Sequence, residues 1–190
     1  RIPDNMFIWA TMNSADQGVF PMDTAFKRRW NFEYIGINNN EGAIQRKIML
    51  GRGTHRLEVD YNKLRKAIND KLAKDFKVSE DKLIGPFFLS MEVLKTIVAE
   101  DEVTEYRVAE GKAIEYKASE DKDVNLKKFI DAFKSKVIMY LYEDAAKQHK
   151  HKLFGGCDSS KYSSVCEAFD EIGIDIFGDG FRELYNQQGV

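Results

Sequence analysis

The chain has 190 residues, a formal net charge of −2, and 43% hydrophobic and 12% aromatic residues. This length suits one domain or slightly more, and the composition supports a sizeable core and excludes a disordered chain. The near-neutral charge excludes a protein that coats nucleic acid; two cysteines, Cys157 and Cys166, are too few for a disulfide framework and suit a reducing cytoplasm. No apolar run approaches the roughly 18 residues of a membrane span, and no stretch reads as a signal peptide. The chain opens Arg1-Ile2-Pro3 without an initiator methionine, as expected of a portion of a longer protein.

Residues 6–11, MFIWAT, form the short apolar run that a strand buried on both faces carries. The pattern turns polar at Asn13-Ser14-Ala15-Asp16. In an open α/β sheet ligands sit at the carboxyl ends of strands, so an amide followed by a carboxylate there suits the orientation of water or phosphate. Pro21 is set to open a short helix, because its fixed φ matches a first turn. That helix is expected to carry Asp23 in its first turn and to close on Lys27-Arg28-Arg29, cations at the negative end of its dipole. Residues 30–37 read as the next strand.

Asn38 to Asn40 read as a loop or hinge, and 41–50 as a short helical pattern stopped by Gly51-Arg52-Gly53. Asp60 caps a clearer helix whose apolar stripe is Tyr61, Leu64, Ile68 and Leu72. Its other faces carry Lys63, Arg65, Lys66, Asp70, Lys71 and Lys74. Pro86 forces a bend at Gly85 leading into an aromatic plug, after which Ser90 caps a helix over 91–99. Residues 100–123 alternate around Glu110-Gly111-Lys112, which predicts a surface β-hairpin.

The longest helix is expected over 124–147, with a wide stripe of Leu126, Phe129, Ile130, Phe133, Val137, Ile138, Tyr140 and Leu141. A basic turn, His149 to Lys152, follows, then a stop at Gly155-Gly156. Ser159 or Ser160 is expected to cap a helix containing Tyr162, Val165, Cys166 and Phe169, ended by Gly173. Residues 174–177 read as a short extended piece, and 181–187 as a last helix. His149, His151, Cys157 and Cys166 match no standard zinc spacing.

TMNSAD followed by MDTAFKRRW resembles the AAA+ nucleotidases, specifically the McrB-like branch of modification-dependent restriction systems. There a strand ends in M-N-[ST]-A-D, the sensor 1 region, and a D-x-A-[LF]-[RK]-R-R-[FW] segment carries the arginine finger. The KLIGPFFLS phrase at 82–90 also resembles the lid of that branch. Gln17 departs from the pattern, standing where a member of the branch has arginine, and the choice of GTP or ATP stays open. The resemblance implies that Asn13 positions the attacking water and that Ser14 and Asp16 bind or orient the nucleotide. It further implies that Arg28 and Arg29, either of which could be the finger, reach the nucleotide of a neighbouring subunit. An amide suits the first role because it donates and accepts without adding negative charge.

The fold this implies is mainly α with a small α/β portion. Residues 1–38 would be the tail of a AAA+ core, two strands and a short helix, and 39–190 a helical lid with a β-hairpin insert near 101–123. The sequence contains no G-x-x-x-x-G-K-[ST] loop and no apolar strand ending in Asp-Glu. Both are expected upstream, so the 190 residues alone are expected to be inactive. In the family topology another strand separates the two strands of residues 1–38, which are therefore expected to be strained, re-paired or shared with another copy. The implied cofactor is an NTP with Mg in the parent, with none on this portion. The implied partners are further copies in a ring, a hexamer, and a McrC-like nuclease, with DNA held by domains outside this portion, no membrane, and a cytoplasmic location. The alternative is a helical protein-interaction module in which NSAD is a turn and KRR a basic cap.

Overall fold

The computed structural model describes residues 3, 5–11, 23–44, 46–95, 108–109, 112–113 and 118–189, with backbone alone at 108–109, 112–113 and 118–123. The chain divides into two compact units, Arg1–Ile35 and Gly36–Val190. It is mainly helical, with two small antiparallel ladders among the described residues.

In the first unit the expected helix is present as α1, Thr24–Lys27, ending two residues before the basic run does. Arg28 and Arg29 lie in the turn that follows, and Asp23 is the N-cap residue, making no side-chain cap bond. Neither 6–11 nor the described backbone of 30–36 forms a strand. An apolar strand needs ladder partners and cover on its faces. Here Phe7 and Trp9 are 82% and 89% exposed, so these runs have the composition of a sheet interior without its surroundings.

The second unit begins with a turn over 37–40 and a 3-10 turn at Glu41–Ala43. The helix expected over 41–50 is instead a strand, β1, Lys47–Leu50, paired antiparallel with β2, Leu57–Asp60. Ile48 and Leu50 face inward while Lys47 faces out, a period of two that a four-residue run can carry unnoticed. The Gly51-Arg52-Gly53 run is the connection between these strands, and both glycines have positive φ, 76° and 52°.

Helix α2, Tyr61–Phe76, starts where Asp60 accepts a hydrogen bond from the Lys63 backbone N–H at 2.9 Å. Its stripe of Tyr61, Leu64, Ile68 and Leu72 is fully buried, each side chain contributing about 1.5–3 kcal/mol. Arg65, expected on a solvent face, is only 1% exposed. After α2 the chain bends at 86–89, and Phe88 packs on Tyr140 at 5.1 Å, whereas Phe87 points to solvent. Helix α3, Met91–Lys95, follows Ser90, whose Oγ accepts from the Val93 N–H at 3.4 Å; the rest of the helix expected to 99 lies outside the described residues. The hairpin expected in the charged stretch is present as β3, Val108–Ala109, and β4, Lys112–Ala113.

Helix α4, Ala118–Ala132, begins earlier than its apolar stripe suggests and continues through two wider π-type stretches, Phe133–Ile138 and Leu141–Ala145. The wider turns bring the neighbours Val137 and Ile138, then Leu141 and Tyr142, inward together. A one-turn helix, α5, Lys150–Leu153, replaces the basic turn. Helix α6, Tyr162–Ile172, has Lys161 at its N-cap; Ser160 bonds Asp158, and buried Ser159 reaches His151, so neither serine caps. Gly173 ends α6, and Gly173–Phe177 is a 3-10 turn that buries both Ile174 and Ile176, not an extended piece. Helix α7 spans Phe181–Gln187, as the pattern indicated. Ring contacts link α4 to α6 through Phe129, Phe133 and Phe169, and link Phe154 to α7 through Phe177 and Phe181, all within one buried hydrophobic cluster.

Candidate functional site

Among the sequence-derived site residues, Arg28 and Arg29 are described, and Asn13, Ser14 and Asp16 lie outside the described residues. The basic turn is built by its own backbone. The Arg28 N–H donates to Thr24 O at 3.2 Å, the Arg29 N–H to Phe26 O at 3.0 Å, and the Trp30 N–H to Lys27 O at 3.3 Å. The rings of Phe26 and Trp30 flank it, 5.7 Å apart. Both arginine side chains face solvent, and neither has an ion-pair or hydrogen-bond partner among the described residues. Each guanidinium offers five N–H donors in a fork that matches phosphate. Two unneutralised forks on one short turn can hold an anion presented from outside.

The second unit contains a polar cluster that hydrophobic patterning missed. Arg65 Nη1 donates to Asn38 Oδ1 and to Ile84 O, both at 3.0 Å, and Nη2 donates to Glu41 Oε2 at 2.7 Å. Lys66 Nζ meets the other Glu41 oxygen at 2.7 Å. Asn62 Nδ2 donates to Glu41 O at 2.9 Å and also to Ile44 O, and Asn69 brackets Ile84 through both its N–H and its C=O. The signal was present as Asn62, Arg65, Lys66 and Asn69, a polar stripe at i, i+3, i+4 and i+7 beside the apolar one. A cleft of about 290 Å³ opens alongside, lined in part by Ile37, Asn38, Lys66, Asn69, Asp70 and Gln188. Each of its polar groups named here is already engaged, Asp70 by Lys74 and Gln188. The cleft therefore lacks convergent free groups for chemistry.

A third cluster joins the β1–β2 connection to the last helices. Arg182 grips Asp175 through Nε and Nη2, and His55 Nδ1 donates to the same carboxylate. Burial raises the Asp175 carboxyl, but the bonds from Arg182 and His55 outweigh it and hold it below the usual carboxylate range. Arg52 pairs with Glu171 at 2.8 Å beside it.

Three of the four residues that raised a zinc reading have local partners of their own. His149 stacks on Phe76 at 4.9 Å, His151 Nδ1 lies 2.9 Å from Ser159 Oγ, and Cys157 Sγ contacts Phe154 O. Burial pushes the Cys157 thiol up, away from the thiolate that metals bind. Among the described residues no three His, Cys, Asp or Glu side chains group as a metal site, and no helix is long and apolar enough to cross a membrane.

No protein-family profile matches the chain, and no solved structure matches it. The chain spans about two fifths of the length of the curated relative it matches. Over 171 residues, 90% of this chain and 39% of that protein, it is 37% identical and thus similar to the Type II restriction enzyme BsuMI component YdiS of Bacillus subtilis (strain 168).

Proposed function

We propose that this chain is part of an NTP-hydrolysing AAA+ motor subunit of a restriction system, of the McrB-like kind and using GTP or ATP. The observation that carries the reading is the exposed, uncommitted pair Arg28 and Arg29, following the M-N-S-A-D sequence at the family spacing. The likeness to a restriction-enzyme component supports the biological setting. On this reading the phosphate cradle and Mg-nucleotide belong to the rest of the protein. Asn13 holds the attacking water of its own subunit, and Ser14 and Asp16 orient that amide and the nucleotide. Arg28 or Arg29 places positive charge on the transferred phosphoryl group of the neighbouring subunit in a ring, expected to be a hexamer. A McrC-like nuclease would receive the mechanical output, and DNA would be held elsewhere in the assembly.

The test uses the longer protein to which the chain belongs. Arg28→Ala combined with Arg29→Ala should lower kcat for hydrolysis by about 10³-fold or more, the scale of an arginine finger, while nucleotide binding persists. Adding inactive subunits that carry intact arginines should restore part of the rate, because the finger acts across the interface. Unchanged hydrolysis would assign KRR to a basic helix cap and favour the helical interaction module.

A further inference from the structure

The turn at 37–40 reads from sequence as a hinge, yet the helical unit grips it from one side. Residues Asn62, Arg65 and Lys66 of α2 hold Asn38, Glu41 and Ile44 by five donor–acceptor contacts, with Arg65 supplying two. Arg65 is also the innermost of these groups, its side chain 0% exposed against 28% for Glu41. Burial lowers the guanidinium pKa and the adjacent Glu41 carboxylate opposes that shift, so the charged guanidinium depends on Glu41. The same guanidinium binds Ile84 O, and Asn69 fixes both polar atoms of Ile84. One side chain thus ties two loops, 38–44 and the one around Ile84, to the centre of α2. The backbone of 38–44 carries little ladder of its own: the Glu41, Ala43 and Ile44 N–H groups close only short local turns at 3.0–3.2 Å.

We propose that Arg65 is a positioning residue that pins 38–44 to the helical unit. The three asparagines at 38–40 then mark a fixed bracket, not a pivot. Losing the guanidinium leaves only Asn62 and Lys66 on 38–44, and losing the Glu41 carboxylate leaves only Asn62 and the Arg65–Asn38 bond, so either change loosens the segment. This inference is independent of nucleotide chemistry, since it concerns contacts within Gly36–Val190.

Hydrogen–deuterium exchange on the 190-residue chain tests it. Arg65→Met keeps the length and burial of the side chain and removes the donors. The amides of Glu41, Ala43 and Ile44 should then exchange about 100-fold faster, as expected when a buried pair is broken, while Leu64 and Ile68 in α2, and Phe133 after α4, keep their protection. Arg65→Lys, which retains one donor group, should recover part of the protection of Glu41. Exchange unchanged over 38–44, or raised equally across α2 and α4, would overturn the proposal. If Arg65→Met does not fold, Glu41→Gln decides by the same local-versus-uniform criterion.

Discussion

Asp175 shows how a single carboxylate is used at the residue scale. It accepts from Arg182 and His55, and its carboxyl is held below the usual range. A carboxyl depressed on folding contributes stability above its unfolded pKa, about 4, and loses it as pH falls through the lower folded value. The native chain should therefore exceed Asp175→Asn in urea midpoint at neutral pH, and the difference should shrink as pH falls below about 4. A difference constant with pH would show that the charge is not the source. Gly156 is a second instance, exposed yet intolerant of change. A Cβ there would lie 1.8 Å from Asp175 O and 3.1 Å from the Gly178 N, with backbone rather than a movable side chain in the way. Gly156→Ala should cost about 2 kcal/mol or more in denaturant unfolding, whereas Gly42→Ala, with open space around the added methyl, should change little. Arg65 was not legible in the sequence because a hydrophobicity stripe sends every charge outward. Only the repeat of polar residues on one face hinted at a second buried side.

At the scale of elements, legibility followed the number of independent signals that an element carries. The sixteen-residue α2 carries a cap, a stripe and a left-handed C-cap at Lys77, and its start is readable from Asp60 alone. Asp60→Ala removes the bond to the Lys63 N–H and should lower stability by about 1 kcal/mol in chemical denaturation. The backbone N–H of Asp60 is also held, by the Tyr185 hydroxyl at 2.7 Å, so Tyr185→Phe should cost a comparable amount from the far end of the chain. The ladder between β1 and β2 escaped sequence reading because four-residue strands hold too few positions to separate a period of 2 from one of 3.6. Its register is set from outside as well: Gly173 packs so closely that a Cβ would come 3.0 Å from the Gly51 N, and Arg52 N–H donates to Glu171 O at 2.8 Å. Such distant contacts leave no local trace in a sequence. The serine caps expected before α6 failed for a related reason, since Ser159 is drawn to His151 and Ser160 to Asp158.

Across the whole molecule, the candidate arginines and the folded core belong to different compact units. The helical unit buries six phenylalanines in one core cluster, while the first unit leaves Met6, Phe7, Ile8 and Trp9 each more than half exposed. The basic turn was legible because its residues are contiguous; the surroundings of the apolar runs were not, because cover is a tertiary property. Both tryptophans of the chain, Trp9 and Trp30, lie in Arg1–Ile35, and the helical unit has none. Selectively excited indole emission therefore originates in the N-terminal segment. Any molecule that covers Trp9 should announce itself as a blue shift, without a label having been attached.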